Sequence, residues 1–160
     1  MSLRPWQVHD ASTLAAAWND PTVAAASEPP PDRSIAAAER WIEGCGIREQ
    51  RLLAIDRVID VDGLCVGEVG LSSIDQRRGA ALIGWWVAAE HRGGGYASEG
   101  VRAMVALATR GFGLTALVAE IGVDNDASVR VAERAGFELL REGTETHPHA
   151  YVARHGGSSE

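Results

Sequence analysis

The chain has 160 residues, 15 Lys plus Arg against 22 Asp plus Glu, and a formal net charge of −7. That length fits one domain, expected over residues 1–155, and at 46% apolar and 23% charged residues a core forms without staples. The acidic balance argues against nucleic acid as a partner, and no apolar run reaches the roughly 18 residues of a membrane span.

In chain order, Asp10 is placed to cap a helix whose apolar face is Ala11, Leu14, Ala15 and Trp18. Ser27 to Asp32 holds three successive prolines and reads as irregular. A second helix is predicted from about Ser34, with Ile35, Ala38, Trp41 and Ile42 at helical spacing, broken by Gly44-Cys45-Gly46. The period then changes. Leu52–Val58, Leu64–Leu71 and Ala80–Val87 are short apolar runs separated by turn sequences, which predicts an antiparallel three-stranded meander.

After the meander, Arg92-Gly93-Gly94-Gly95-Tyr96 precedes a helix with Ala97, Val101, Met104, Val105 and Ala108 on one face, ended by Gly111 and Gly113. Leu114–Ile121 reads as a strand, so strand, helix and strand form a crossover whose two strands run parallel. A short helix over Asp126–Ala135 and a last hairpin of Phe137–Leu140 with Ala150–Arg154 complete the chain. Residues 156–160 read as a loose tail.

Met1 to Gln7 lacks the basic and then apolar stretch of a secretory signal, and Cys45 and Cys65 have no C-x-x-C spacing. The expectation is a cytoplasmic chain with two idle thiols, a disulfide being the alternative. Five histidines come with no cysteine or carboxylate cluster, so no metal is expected.

The glycine turn is the most informative segment. It joins a strand to a helix N-terminus, where unpaired N–H groups and about half a positive charge favour an anion such as a pyrophosphate. A tight turn that binds nothing is the plain alternative. A P-loop needs a Lys after its glycines, and this chain has no lysine. A dinucleotide fingerprint is matched only in part: Ser98 stands at its third position, Glu120 is too distant for its acidic residue, and an antiparallel meander precedes it.

With the strand Ile83–Glu90 before it, Arg92-Gly93-Gly94-Gly95-Tyr96-Ala97 resembles the acetyl-CoA motif of the GCN5-related N-acetyltransferase family, Arg or Gln, two residues, Gly, one residue, Gly or Ala. Asn125 to Phe137 is similar to the family's late strand-to-helix segment, as found in the branch that acetylates N-terminal amines of ribosomal proteins. Leu3-Arg4-Pro5-Trp6 and Trp18-Asn19-Asp20-Pro21 also look like that branch. The resemblance spans roughly residues 3–154. It implies an α/β fold of the α+β kind, a mixed, mostly antiparallel sheet flanked by helices and split by a V-shaped gap between two parallel strands. It also implies acetyl-CoA as co-substrate and an amine, of a small molecule or a protein terminus, as acceptor.

The same resemblance implies that the backbone of Gly93, Gly94, Gly95, Tyr96, Ala97 and Ser98, after Arg92, holds the pyrophosphate, and that a backbone N–H near Val87 faces the thioester oxygen. It makes Asn125 a candidate for the pantetheine amide and Ser128 one for protonating the thiolate. As plain alternatives, Ser128 is a helix cap and Asn125 a turn residue. Glu68 and Glu120, carboxylates inside apolar strands, are the candidate bases, or else face water on an uncovered sheet face. Trp18 to Arg33 is expected to wall the acceptor. His147, His149 and Tyr151 are candidates for its other side, and Trp41, Trp85 and Trp86 are read as core. The expected chemistry is direct N-acetyl transfer by a monomer or homodimer; a non-catalytic acyl-CoA sensor of the same fold is the alternative.

Overall fold

The structure is a computed structural model that describes residues 1–155, so the expected tail at 156–160 lies outside the described residues. Strand β1 (Ser2–Arg4) pairs antiparallel with β2 (Ala54–Val61). Arg4 is fixed there by two carboxylates: its Nε donates to Asp60 at 2.6 Å and its two terminal nitrogens to Asp10 at 2.7 and 2.9 Å. Asp10 therefore does not cap helix α1 (Ala11–Asn19) with its side chain as expected. Both its oxygens go to Arg4, and one also accepts the N–H of Gln7.

Two helices add to the elements predicted from the sequence. Helix α2 (Pro21–Ser27) starts where Pro21 supplies a fixed φ and Asp20 accepts the N–H groups of Thr22 and Val23 at 2.8 and 3.4 Å. Helix α3 (Ile35–Glu43) is capped by the Ser34 hydroxyl, but Gly44 does not end the helical path. At φ −78 it turns a corner into helix α4 (Cys45–Gln50).

The meander is as read, with β2, β3 (Leu64–Asp75) and β4 (Ala80–Val87) antiparallel in sequence. Asp62 and Gly63 both take positive φ, 54 and 85, the pair of angles a tight right-twisting hairpin demands. Helix α5 (Tyr96–Phe112) then crosses over to β5 (Ala116–Ile121), which runs parallel to β4. Helix α6 (Asp126–Arg134) leads to β6 (Glu138–Arg141) and β7 (His149–Arg154). These pair with each other, and β7 also pairs with β5, so the sheet order is β1-β2-β3-β4-β5-β7-β6.

Alternation divides the sheet residues between two apolar clusters. Ile55, Ile59, Val69, Leu71, Ile83 and Val87 pack with Val101, Met104, Val105 and Ala108 of α5. Val58 and Cys65 lie on the opposite side with Trp6, Leu14, Trp18, Ala38 and Ile42, against which Trp41 and Trp86 pack.

The feature that positions the site is a short parallel pairing. β4 meets β5 only at Ala80–Ala116, Ala81–Leu117 and Leu82–Val118. Beyond Leu82 the strands diverge while β4 stays paired to β3 as far as Val87. This leaves the V-shaped gap. The amide N–H of Ala88 bonds back to Val66, so by alternation that of Val87 is directed to the gap side.

Candidate active site

One cavity of about 640 Å³ opens where the strands part, and it gathers residues far apart in sequence. Its wall holds the glycine turn, the N-termini of α5 and α6, and three arginines: Arg92, Arg130 and Arg134. It also holds α2, through Thr22, Val23, Ala26 and Ser27, and the β2–β3 surface of Asp56, Glu68, Gly70 and Ser72. Trp86 and Gly84 of β4 line it as well. The cations of the wall thus belong to the turn and α6, and its carboxylates to the sheet.

The turn leaves several backbone amides unpaired. Gly93 and Gly95 sit at φ 83 and 80, left-handed angles that side chains rarely adopt. Gly95 is the N-cap of α5, and the first helical bond inside α5 is made by Glu99 to Gly95, so the amides of Tyr96, Ala97 and Ser98 have no carbonyl one turn back. Tyr96 packs its ring over the turn: a Cβ on Gly94 would come within 2.8 Å of it. Among the expected turn residues, Gly94 alone is not part of the cavity wall.

Arg92 has a second task. Its Nε donates to the Val87 carbonyl at 3.0 Å and its Nη2 to Asp20 at 2.8 Å. The Thr22 amide and then Arg92 hold the Asp20 carboxyl below its ordinary range. One side chain thus joins the turn, the end of β4 and the cap of α2. We expect Asp20→Ala, which removes cap and ion pair together, to raise the acceptor KM by roughly three- to tenfold while the acetyl-CoA KM stays within about twofold, with Asp20→Asn in between. Equal changes in both constants would show that α2 is not an acceptor wall.

In the late motif, Asn125 is the cap: its side-chain oxygen accepts the Ser128 amide at 3.1 Å. Ser128 is therefore the residue being capped, and its half-buried hydroxyl lies on the cavity wall. The basic residues Arg130 and Arg134, one turn apart on α6, were not singled out from sequence.

Glu68 and Glu120 part company. Glu120 is exposed on β5 and lies off the cavity. Glu68 reaches the wall, and its Oε2 accepts the indole N–H of Trp6 at 2.9 Å. Although the side chain keeps part of its surface open, its carboxyl is enclosed by protein. Burial, and then the neighbouring Asp56 carboxylate, push it up to about 8 against the pull of the Trp6 indole and Arg48. Trp6 stacks edge-on to Trp41 at 6.0 Å and lies 6.3 Å from Trp86, so the carboxyl sits among tryptophans. Trp41, Trp85 and Trp86 pack against the two apolar clusters as expected, but all three are only half-buried, and Trp85 and Trp86 line the cavity as well. His147, His149 and Tyr151 lie elsewhere; His149 accepts the Gly143 amide through Nδ1.

A glycine turn of free amides, flanking arginines and an unpaired strand edge fit a pyrophosphate with an extended amide-bearing arm, which is the shape of a CoA thioester. The fold and this site define an acyl-CoA-dependent transferase. A family model described as an acetyltransferase (GNAT) domain matches residues 1–138, and the chain belongs to that family. It is an acetyl-CoA-dependent N-acetyltransferase. It is 26% identical over 151 residues to the uncharacterized N-acetyltransferase p20 of Bacillus licheniformis, covering 89% of this chain and 83% of that one. Its fold matches that of Mycobacterium smegmatis RimJ in complex with CoA-disulfide, with a TM-score of 0.83 at 20% identity over 95% of this chain and 80% of that one. It also matches a Vibrio cholerae spermidine N-acetyltransferase in complex with CoA and spermine, with a TM-score of 0.78 at 18% identity over 94% and 92% of the two chains. No described helix is long and apolar enough to cross a membrane.

Proposed function

We propose that residues 1–155 form one acetyltransferase domain that passes acetyl directly from acetyl-CoA to a primary amine, with Glu68 as general base. The observation that carries this reading is a single cavity that gathers the free amides of the glycine turn, three arginines and the carboxylates of Asp56 and Glu68 beside an open strand edge. The amides of the turn and of α5, with Arg130 and Arg134, hold the pyrophosphate. The Val87 amide donates to the thioester oxygen, where charge grows during attack. Glu68, held at a pKa near that of an amine-activating base, takes a proton from the acceptor ammonium. Ser128 donates a hydrogen bond to the departing sulfur, and α2 walls the acceptor. The neighbours' printed activities, on a ribosomal protein terminus and on spermidine, are both amine acetylation and support an amine without choosing one.

Direct transfer is supported by the two thiols. Cys45 begins α4 rather than merely ending α3, yet burial pushes it up to about 12, and burial does the same to Cys65. Neither is the activated thiolate that an acetyl-cysteine route needs, and neither lines the cavity. A Cys45→Ser, Cys65→Ala double variant should keep most of its kcat; an acetylated cysteine trapped in mass spectrometry would overturn direct transfer. The test of the function itself is thiol release from acetyl-CoA across amino acids, polyamines, aminoglycosides and peptides of varied first residue. Release that no amine accelerates would instead favour an acyl-CoA sensor.

A further inference from the structure

A base accounts for only one of the two carboxylates that the sheet presents to the cavity. Asp56 of β2 pairs with Gly70, and Val58 pairs with Glu68, so Asp56 and Glu68 project from the same face as diagonal neighbours, roughly 7 Å apart at Cβ. Gly70 makes room for this: a Cβ there would come within 2.9 Å of Asp56 Oδ1. Next across the sheet, a Cβ on Gly84 would meet nothing within 4 Å, so the floor before Asp56 is open. The Asp56 side chain is only 12% exposed, and its Oδ2 is fully buried with no hydrogen-bond partner among the described residues.

The nearest cation does not complete it. Arg48 Nη2 stands 3.6 Å from Oδ2, beyond hydrogen-bond range. That nitrogen donates instead to the Trp41 carbonyl at 3.1 Å and Cys45 Sγ at 3.0 Å, and the guanidinium lies 4.4 Å above the Trp41 ring. Burial raises the Asp56 carboxyl against the pull of Arg48. The buried Oδ2 thus faces Arg48, while Oδ1 lies on the Gly70 side, beside the open floor of the cavity, and is the oxygen within reach of a ligand.

We propose that Asp56 is the second carboxylate of the acceptor site and accepts the one N–H that the acceptor nitrogen keeps throughout the reaction, which selects primary over secondary amines. This rests on the reading of Glu68 as base. A primary ammonium carries three hydrogens. One leaves to Glu68 and frees the lone pair. The N–C bond then forms, the C–S bond breaks, and a second proton passes from nitrogen to the departing thiolate. The third hydrogen remains as the amide N–H, and Asp56 holds it. A secondary ammonium has only two hydrogens, and both leave, so it has none to offer Asp56.

The test compares an alanyl tripeptide and benzylamine, each beside its mono-N-methyl form, and 1,4-diaminobutane beside its N,N′-dimethyl form, in wild type, Asp56→Ala, Asp56→Asn and Glu68→Gln. Asp56→Ala should lower kcat/KM for the primary amine by about tenfold or more and change it far less for the N-methyl form, so that the preference collapses. Asp56→Asn, which keeps an acceptor oxygen, should restore part of that preference. The groups acting on Glu68 and Asp56 are Arg48 and Cys45 of α4, Glu49 of α4, Arg57 of β2, Cys65 of β3 and the indoles of Trp6 and Trp86. Of these and Asp56 itself, either Asp56 substitution removes the one negative charge that most raises Glu68, so the acidic limb of kcat/KM should move to lower pH. A merely structural Asp56 would move the limb through its charge but leave the primary-to-methylated ratio unchanged. Should Asp56→Ala not fold, Asp56→Asn still reports that ratio. Glu68→Gln activity equal to wild type removes the base reading on which the proposal stands, as does wild-type turnover of none of the three amines. A dead Glu68→Gln beside Asp56 variants whose primary-to-methylated ratio equals that of the wild type overturns the Asp56 proposal alone.

Discussion

Gly95→Glu should weaken acetyl-CoA binding by about 100-fold or more while the protein stays folded. Two effects act together. Gly95 holds φ 80, where a side chain is strained by about 1 kcal/mol or more, and strain there tilts the amides that begin α5. The new carboxylate would also stand at the helix N-terminus, in the place an incoming pyrophosphate needs. Nothing lies within 4 Å of a Cβ at this position, so no clash threatens the fold. Gly95→Ala separates the causes, since it brings the strain without the charge and should lose about tenfold or less. Calorimetric affinity unchanged in Gly95→Glu would remove the donor from this turn.

Glu68→Gln should lower kcat by about 10²- to 10⁴-fold with acetyl-CoA affinity intact, because the amide fills the same space beside Trp6 but accepts no proton. In the wild type, kcat/KM for the amine should rise with pH through about 8 as Glu68 ionises. The stability effect has the opposite sign. Its pKa is raised on folding, so Glu68 supports the folded state fully below its ordinary value near 4.5, and that support is lost as pH climbs toward about 8. Glu68→Gln should therefore unfold no more easily than wild type at pH 8 to 9. A variant that keeps wild-type kcat across pH would assign the base elsewhere.

The donor half of the site was legible because it is local. The glycines, the strand before them and the helix after them are contiguous, and the two parallel strands follow from the length of the crossover helix. Asn125 and Ser128 were found together, although only the structure shows Asn125 capping Ser128 rather than Ser128 serving as the cap. The carboxylate side depends on register across strands and was legible only in part: Glu68 and the Trp18–Arg33 segment were found, and Asp56 was not. Asp56 sits in an alternating run that reads as an ordinary strand, and only its pairing with Gly70 and the diagonal approach to Glu68 give it a place. Glu68 and Glu120 could not be told apart by periodicity, because what separates them is which helices cover each face. Helix α2 carried a readable signal, Asp20 before Pro21, which was outweighed by the prolines that follow.

The most direct measurement is the initial rate of thiol release over a grid of acetyl-CoA and amine concentrations. If one cavity holds both substrates and Glu68 passes the proton, release requires the amine and the reciprocal plots intersect to the left of the axis, as a ternary complex demands. Parallel lines, or release at the same rate without amine, would contradict it.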